Sequence, residues 1–308
     1  MTIERYYKKL EVPQGRVDVL LDTDAYNEVD DQYAIAYLLR CGEKLNVKAI
    51  TAAPFSNIKV SSPKEGMELS YNEILNILSL AERNDLVAHV FKGSEKYLPN
   101  EKTPVISDAA NEIVRLADEH SEDDPLYVVA IGAITNVASA LLIKPEIKDK
   151  IVVVWLGGTA FFCDNAAEFN LKQDVAAVRV VFNSGVPLVQ LPCRGIVESF
   201  SISEADIRMW MLGKNKLCDY LGGYTIKDQE EFHKMAGKPW TRVIWDVTAV
   251  AWLLNDNNRF MDDKLVHAPI VTYDRHYAFD DSRHYMKYVY NIKRDALVED
   301  MFNRLTSN

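Results

Sequence analysis

Short, mostly apolar runs rich in β-branched residues alternate along the chain with stretches whose apolar residues recur at helical spacing. The runs are VDVLLD (17–22), VKAITAA (47–53), LYVVAIG (126–132), IVVVWLGG (151–158) and VPLVQLP (186–192). Each has the length of a strand, and the near absence of polar alternation predicts strands covered on both faces. Between them, Ala34, Ile35, Tyr37, Leu38 and Leu39 form a helical stripe. Residues 66–83, 106–120, the segment through TNVASALL and Val175 to Phe182 also read as helices. This alternation predicts an α/β fold with an open, mostly parallel, Rossmann-like sheet and helices on both faces. Further on, Ile202–Leu212 and Asp246–Leu254 read as helical, and VHAPIVTYD, YMKYVYNIK and a last helix through DALVEDMFNRL complete the chain. No linker, repeat or low-complexity segment interrupts it, so residues 1–308 are expected to form a single domain.

In open α/β sheets, ligands gather at the carboxyl ends of the strands. Four segments follow strand-like runs and should share that rim: DTDAYNEVDD (22–31), PFSN (54–57), GAITN (132–136) and GGTAFF (157–162). The first holds Asp22, Asp24, Glu28, Asp30 and Asp31, with no Lys or Arg among them. Like charges this close raise one another's pKa unless something cationic offsets them. A hard divalent cation is the economical partner, and Ca2+ is bound by carboxylates, carbonyls and water together. Asp22 and Asp24, two apart at a strand end, point to one side, while Asp30 and Asp31 stand where a helix begins and negative charge is favoured. Taken singly, Asp30 and Asp246 read equally as helix caps, Asn57 as a turn residue and Asn170 as a loop cap.

The rest of the composition narrows the field. With 48% hydrophobic and 26% charged residues, a globular protein with a real core is expected. A net charge of −10 without a basic tract argues against a nucleic acid polymer as partner and fits a small neutral or cationic ligand. Cys41, Cys163, Cys193 and Cys218 form no CxxC pair, which points to a reducing, cytoplasmic setting rather than a disulfide framework or zinc ribbon. No apolar run reaches the ~20 residues that span a bilayer, so no membrane partner is expected.

Five stretches in order resemble the nucleoside hydrolase family, often called inosine–uridine-preferring. Asp22-Thr23-Asp24 followed by Asp30-Asp31 is similar to its opening signature, with two extra residues in the spacer, as in a divergent branch. AIGAITNVASALLIKPEI (130–147) resembles its Gly-x-x-Thr-Asn segment, and VVVWLGG its next strand and glycine turn. AEFNLKQDVAAVRVVFNSGVPLVQLP (167–192) is the most specific match, and WDVTAVAWLL (245–254) resembles its late His-Asp segment.

The resemblance implies one Ca2+, held by Asp24, Asp31, Asp246 and the backbone carbonyl of Ile131, with Asp24 as the general base toward a water. It further implies a ribose gripped by Asp30, Asn57, Glu168 and Asn170, with Leu156 lining the sugar pocket and Asp22 supporting the loop. The reaction implied is hydrolysis of the N-glycosidic bond of a ribonucleoside, in a homo-dimer or homo-tetramer. Carboxylates would then hold a metal in the ground state and stabilise an oxocarbenium-like transition state. The family's His, which protonates the leaving base, is replaced here by Trp245. Of the six histidines (His89, His120, His233, His267, His276 and His284) none falls at that position. His233 is the one considered for the pocket, and Trp245, with Trp240, suggests instead stacking of a purine. Two other readings stand beside this one: a ribose- or nucleoside-binding protein without turnover, and a Mg2+ phosphatase built on Asp22-Thr23-Asp24. The spacer Tyr26-Asn27-Glu28 is expected to border the pocket and to influence substrate choice.

Overall fold

The computed structural model describes residues 1–307 of the chain. Six strands run parallel: β1 (Val17–Thr23), β2 (Leu45–Ala52), β3 (Val90–Phe91), β4 (Leu126–Ala130), β5 (Ile151–Leu156) and β6 (Leu188–Leu191). β7 (Ser201–Ser203) pairs antiparallel with β8 (Thr241–Val243), away from the main sheet. β9 (Met261–His267) forms the far edge, and β10 (Ile270–Val271) pairs with β11 (Tyr277–Ala278) in a separate ribbon. β12 (Tyr285–Ile292) is parallel to β6 and antiparallel to β9. The eight-stranded order is β3-β2-β1-β4-β5-β6-β12-β9, so the sheet is parallel except at β9.

The helices are α1 (Ile3–Lys9), α2 (Val29–Leu39), α3 (Pro63–Leu80), α4 (Asp108–Glu119), α5 (Thr135–Ile143), α6 (Phe169–Gln173), α7 (Val175–Ser184), α8 (Glu204–Trp210), α9 (Lys216–Lys227), α10 (Val247–Trp252) and α11 (Arg294–Thr306). Alternate residues of β1 feed two cores: Val19 and Leu21 pack into one, Leu20 into the other, as the two-residue strand period requires. The first core takes in Tyr33 of α2, Ile74 of α3, Leu221 of α9, Val250 of α10 and Met301 of α11. The second takes in Ile113 of α4, Val137 of α5 and Phe182 of α7. Every residue of α2 is buried, which accounts for an apolar pattern with little sidedness.

The predicted α/β architecture is the observed one, with differences at boundaries. α3 begins at Pro63 rather than at 66, because Ser62 caps it by accepting from the Glu65 N–H. The helix expected from Ile202 starts only at Glu204. Ser201–Ser203 is a strand, and Ser203 with Asp206 forms a capping box at its end. VHAPIVTYD is divided between β9 and β10.

The order reverses between β1 and β4: the chain builds outward through β2 and β3, then returns to the other side of β1. The diverging carboxyl ends leave a crevice there. Asn136, at the start of α5, ties it together. Its amide donates to Asp22 (2.8 Å) and to the Ala52 carbonyl (3.2 Å), and its Oδ1 accepts from both the N–H and the hydroxyl of Ser94 (2.8 Å each). Asn136→Ala is expected to lower stability by about 2–4 kcal/mol, read from chemical denaturation, because it leaves buried groups on three segments unpaired.

Candidate metal and substrate site

A cavity of about 320 Å3 opens at this crevice. β1 and the loop after it supply Asp24, and the first turn of α2 supplies Asp30 and Asp31. Asp246 stands just ahead of α10, and Ile131 follows β4. The ladder runs one residue past β4, with the Ile131 N–H donating to the Asp22 carbonyl (2.8 Å). Residues more than two hundred positions apart therefore meet at one point.

Asp30, Asp31 and Asp246 each place a carboxylate oxygen within 4.8 Å of the others. Asp30, expected on the sugar, is thus in the same small sphere as the expected ligands Asp31 and Asp246. Asp31 also accepts from the Thr23 hydroxyl (2.6 Å). Both carboxylate oxygens of Asp24 are buried without a hydrogen-bond partner. Gly132 makes room for this carboxylate: a Cβ there would lie 2.6 Å from Asp24 Oδ1. Burial, then repulsion among neighbouring carboxylates, pushes Asp24, Asp31 and Asp246 well above the usual carboxylate range. Asp30, where Arg242 offsets part of the effect, is pushed to about 6. Behind them Asp22 is held by Thr51 (2.6 Å) and Asn136 and is raised by burial to about 6.

An all-oxygen donor set, buried, crowded with negative charge and containing two unpartnered oxygens, fits a hard divalent cation. Asp24, Asp31 and Asp246, with Asp30 beside them, are the side chains that would hold it. The Ile131 carbonyl accepts from Asn170 Nδ2 (3.0 Å) and keeps a second lone pair.

Glu168 caps α6, accepting from the backbone N–H groups of Asn170 and Leu171, and also takes the Gly158 N–H. Gly158 has a positive φ of 76°, which a side chain would resist. Burial raises Glu168 to about 7 despite these donors. Both amide hydrogens of Asn170 are spent on the carbonyls of Ile131 and Leu156 (3.0 Å each), so only its Oδ1 is left to face a ligand. Leu156 lines the same wall.

Trp245 is half-buried and lines the cavity, with the Arg242 guanidinium 5.7 Å from its ring centre. Trp240 lies in the core instead. Asn57 does not line this cavity. It donates to Asn27 Oδ1 (2.8 Å) and borders an adjoining hollow, where His233 sits 3.4 Å from Asp228. Of the spacer, Asn27 and Glu28 line the main cavity, while the Tyr26 N–H is bonded to Ser70 (3.2 Å).

Four features were not foreseen. Arg242 bonds Glu28 and so removes one charge from the acidic stretch; nothing in the local sequence marks it. Cys193 and Arg194 line the cavity after β6, a segment that the carboxyl-end rule would also have picked. The Cys193 thiol stands beside Glu168 and is raised well above its usual range by burial and by nearby carboxylates. Lys172 lines the mouth from α6, the helix that carries Asn170.

The sequence and the fold have counterparts among known proteins. The chain is 30% identical over 155 residues to the pyrimidine-specific ribonucleoside hydrolase RihB of Shigella flexneri serotype 5b, an alignment covering 49% of this chain and 48% of that one. The chain thus spans about half the length of the curated relatives it matches. A plant nucleoside hydrolase, PpNRh1, superposes with a TM-score of 0.73 at 20% identity, over 96% of this chain and 100% of that one. A purine-preferring ribonucleoside hydrolase from Gardnerella vaginalis does so with a TM-score of 0.73 at 20% identity, over 94% and 98%. At these identities the superpositions speak for the fold. Residues 19–298 match the model of the inosine-uridine preferring nucleoside hydrolase family, and the chain belongs to that family.

Proposed function

We propose that the protein is a Ca2+-dependent N-ribohydrolase, cleaving the glycosidic bond of ribonucleosides to ribose and free base. The observation that carries this is the pair of unpartnered, buried Asp24 oxygens amid three further buried carboxylates at the switch point. When bound, Ca2+ would supply Lewis acidity and a grip on the ribose diol. Asp24, raised in pKa and free of hydrogen bonds, accepts the proton of the attacking water. Asp30, Glu168 and Asn170 Oδ1 accept hydrogen bonds from sugar hydroxyls, and Leu156 packs against the sugar. Asn57 acts through Asn27 rather than directly. The surrounding carboxylates stabilise positive charge as it develops at C1′.

The leaving base stacks on Trp245. A purine, with the larger face, is the preferred base in this reading, and a stacked purine carries its own proton more readily. The full reading is of a homo-dimer or homo-tetramer in the cytoplasm. Among the described residues no helix is long and apolar enough to cross a membrane. The cavity has no imidazole on its wall, which favours a second reading, ribose binding without turnover. Release of reducing sugar from inosine, guanosine, adenosine, uridine and cytidine separates the two.

With Ca2+ present, release is expected, and both chelation and Asp24→Asn should abolish it. Asp24→Asn should also raise the melting temperature of the metal-free protein, since a buried unpartnered charge is removed. Bound Ca2+ with no release from any nucleoside would leave the binding reading. Trp245→Ala is expected to raise KM for purine nucleosides by about tenfold, a typical loss for an aromatic stack. An unchanged KM would make Trp245 a purely structural residue.

The metal-free protein should also lose stability with rising pH. Glu168 titrates at about 7 when folded and lower when unfolded, so the native state binds the proton more tightly. Its contribution is complete below the unfolded pKa and is lost as pH rises through about 7, amounting to about 3 kcal/mol. Urea titrations at pH 5 and 8 measure this, and Glu168→Gln should remove its share of the dependence while that of the raised aspartates remains.

A further inference from the structure

The cavity is not acidic throughout. Two cations, Lys172 and Arg194, line its mouth, and both are exposed. Among the described residues neither forms an ion pair with the protein. The Lys172 ammonium lies 5.2 Å from the Phe169 ring centre, and the Arg194 backbone, not its guanidinium, is what the fold engages. The neighbouring Arg242, by contrast, is bonded to Glu28. Unpaired cations beside so many carboxylates are cations kept from those carboxylates by geometry.

Both are anchored on one side. Lys172 is on α6, the helix capped by Glu168. Arg194 follows Cys193, which stands beside Glu168, and its carbonyl accepts from the Ala160 N–H (2.8 Å). Trp245, between β8 and α10 with Arg242 against its ring, lines the same cavity. The wall therefore holds an aromatic face, carboxylates and two cations together. Arg194 also borders a further hollow lined by Thr159, Asn165 and Asp164, which provides room beyond the sugar; Asp164 forms no ion pair with Arg194.

We propose that the preferred substrate is an anionic ribosyl compound whose phosphate or carboxylate is bound by Arg194 and Lys172. This rests on the N-ribohydrolase reading. With the base on Trp245 and the sugar over the carboxylates, the two cations are left for an anionic group of the same ligand. A ribonucleoside 5′-phosphate has that layout. A guanidinium and an ammonium together suit a phosphate, the first as a planar fork and the second as a point charge. In the reaction, the C1′–N bond breaks as water's oxygen bonds C1′. The base departs with the electron pair and a proton, and the phosphate ester is untouched, giving ribose 5-phosphate.

The test uses the full chain loaded with Ca2+. Hydrolysis is compared for inosine and uridine, their 5′-monophosphates, and orotidine, whose carboxylate is on the base. Binding of ribose, ribose 5-phosphate and orotidine is measured alongside by calorimetry. The expected result is kcat/KM at least tenfold higher for the anionic substrate than for its neutral counterpart. Ribose 5-phosphate should also bind at least tenfold more tightly than ribose. In the double variant Lys172→Ala/Arg194→Ala both ratios should collapse toward one. A preference for orotidine over the monophosphates would move the anion to the base and keep the role of the two cations. Neutral nucleosides cleaved at least as efficiently as every anionic one would overturn the proposal and leave the N-ribohydrolase reading standing. No cleavage of any substrate, with ribose 5-phosphate bound more tightly than ribose only in the unsubstituted protein, would overturn the N-ribohydrolase reading and, with it, the substrate claim, leaving only the anion-binding role of the two cations. No cleavage and no binding preference would overturn both.

Discussion

Four carboxylates of like charge, withdrawn from water into one small volume, set the terms for the rest of this structure. Left alone they would repel and take up protons, and their raised pKa values record that cost. The surroundings mitigate it only in part. Thr23 donates to Asp31, Arg242 lies near Asp30 and bonds Glu28, and the helix start at Val29 presents its positive end to Asp30 and Asp31. Asp24 receives nothing. A residual deficit of positive charge is what a cation site looks like before the cation is counted, and such sites trade stability for function.

The fold's contribution is to keep that volume rigid. α2 is buried on every side and α10 is buried throughout, so the acidic ends of both helices cannot swing away. Asn136 closes the back of the crevice by binding Asp22, Ala52 and Ser94 together. Gly132 lets the backbone come close to Asp24 where a side chain would intrude, and Gly158, at positive φ and closed in by Tyr277, gives its N–H to Glu168. Preorganisation of this kind fixes the charged groups in place before any ligand arrives.

Around the acidic centre the wall is mixed. Trp245 and Phe169 offer aromatic rings, Glu168 and Asn170 offer acceptors, and Arg194 and Lys172 offer positive charge that is unpaired among the described residues. Relatives carry names that differ in the base they favour, and one fold can host different specificities.

The strands, their parallel pairing and the rim carrying the chemistry were legible in the chain, because buried parallel strands leave apolar runs and ligand segments follow them. So was the acidic stretch 22–31, since its five carboxylates are local. Asp246, Glu168 and Asn170 could be placed only through resemblance to a family; Asp246 and Asn170 alone read as caps. Tertiary structure alone decided that Arg242 answers Glu28, that Asn57 faces Asn27 instead of the cavity, and that Cys193 reaches Glu168. It also decided that two cations stand unpaired at the mouth. The physical reason is one of range. Periodicity and local charge act over a few residues and are written in order along the chain. A contact between residues two hundred positions apart depends on where the sheet reverses and how the helices pack, and only the folded chain computes that sum.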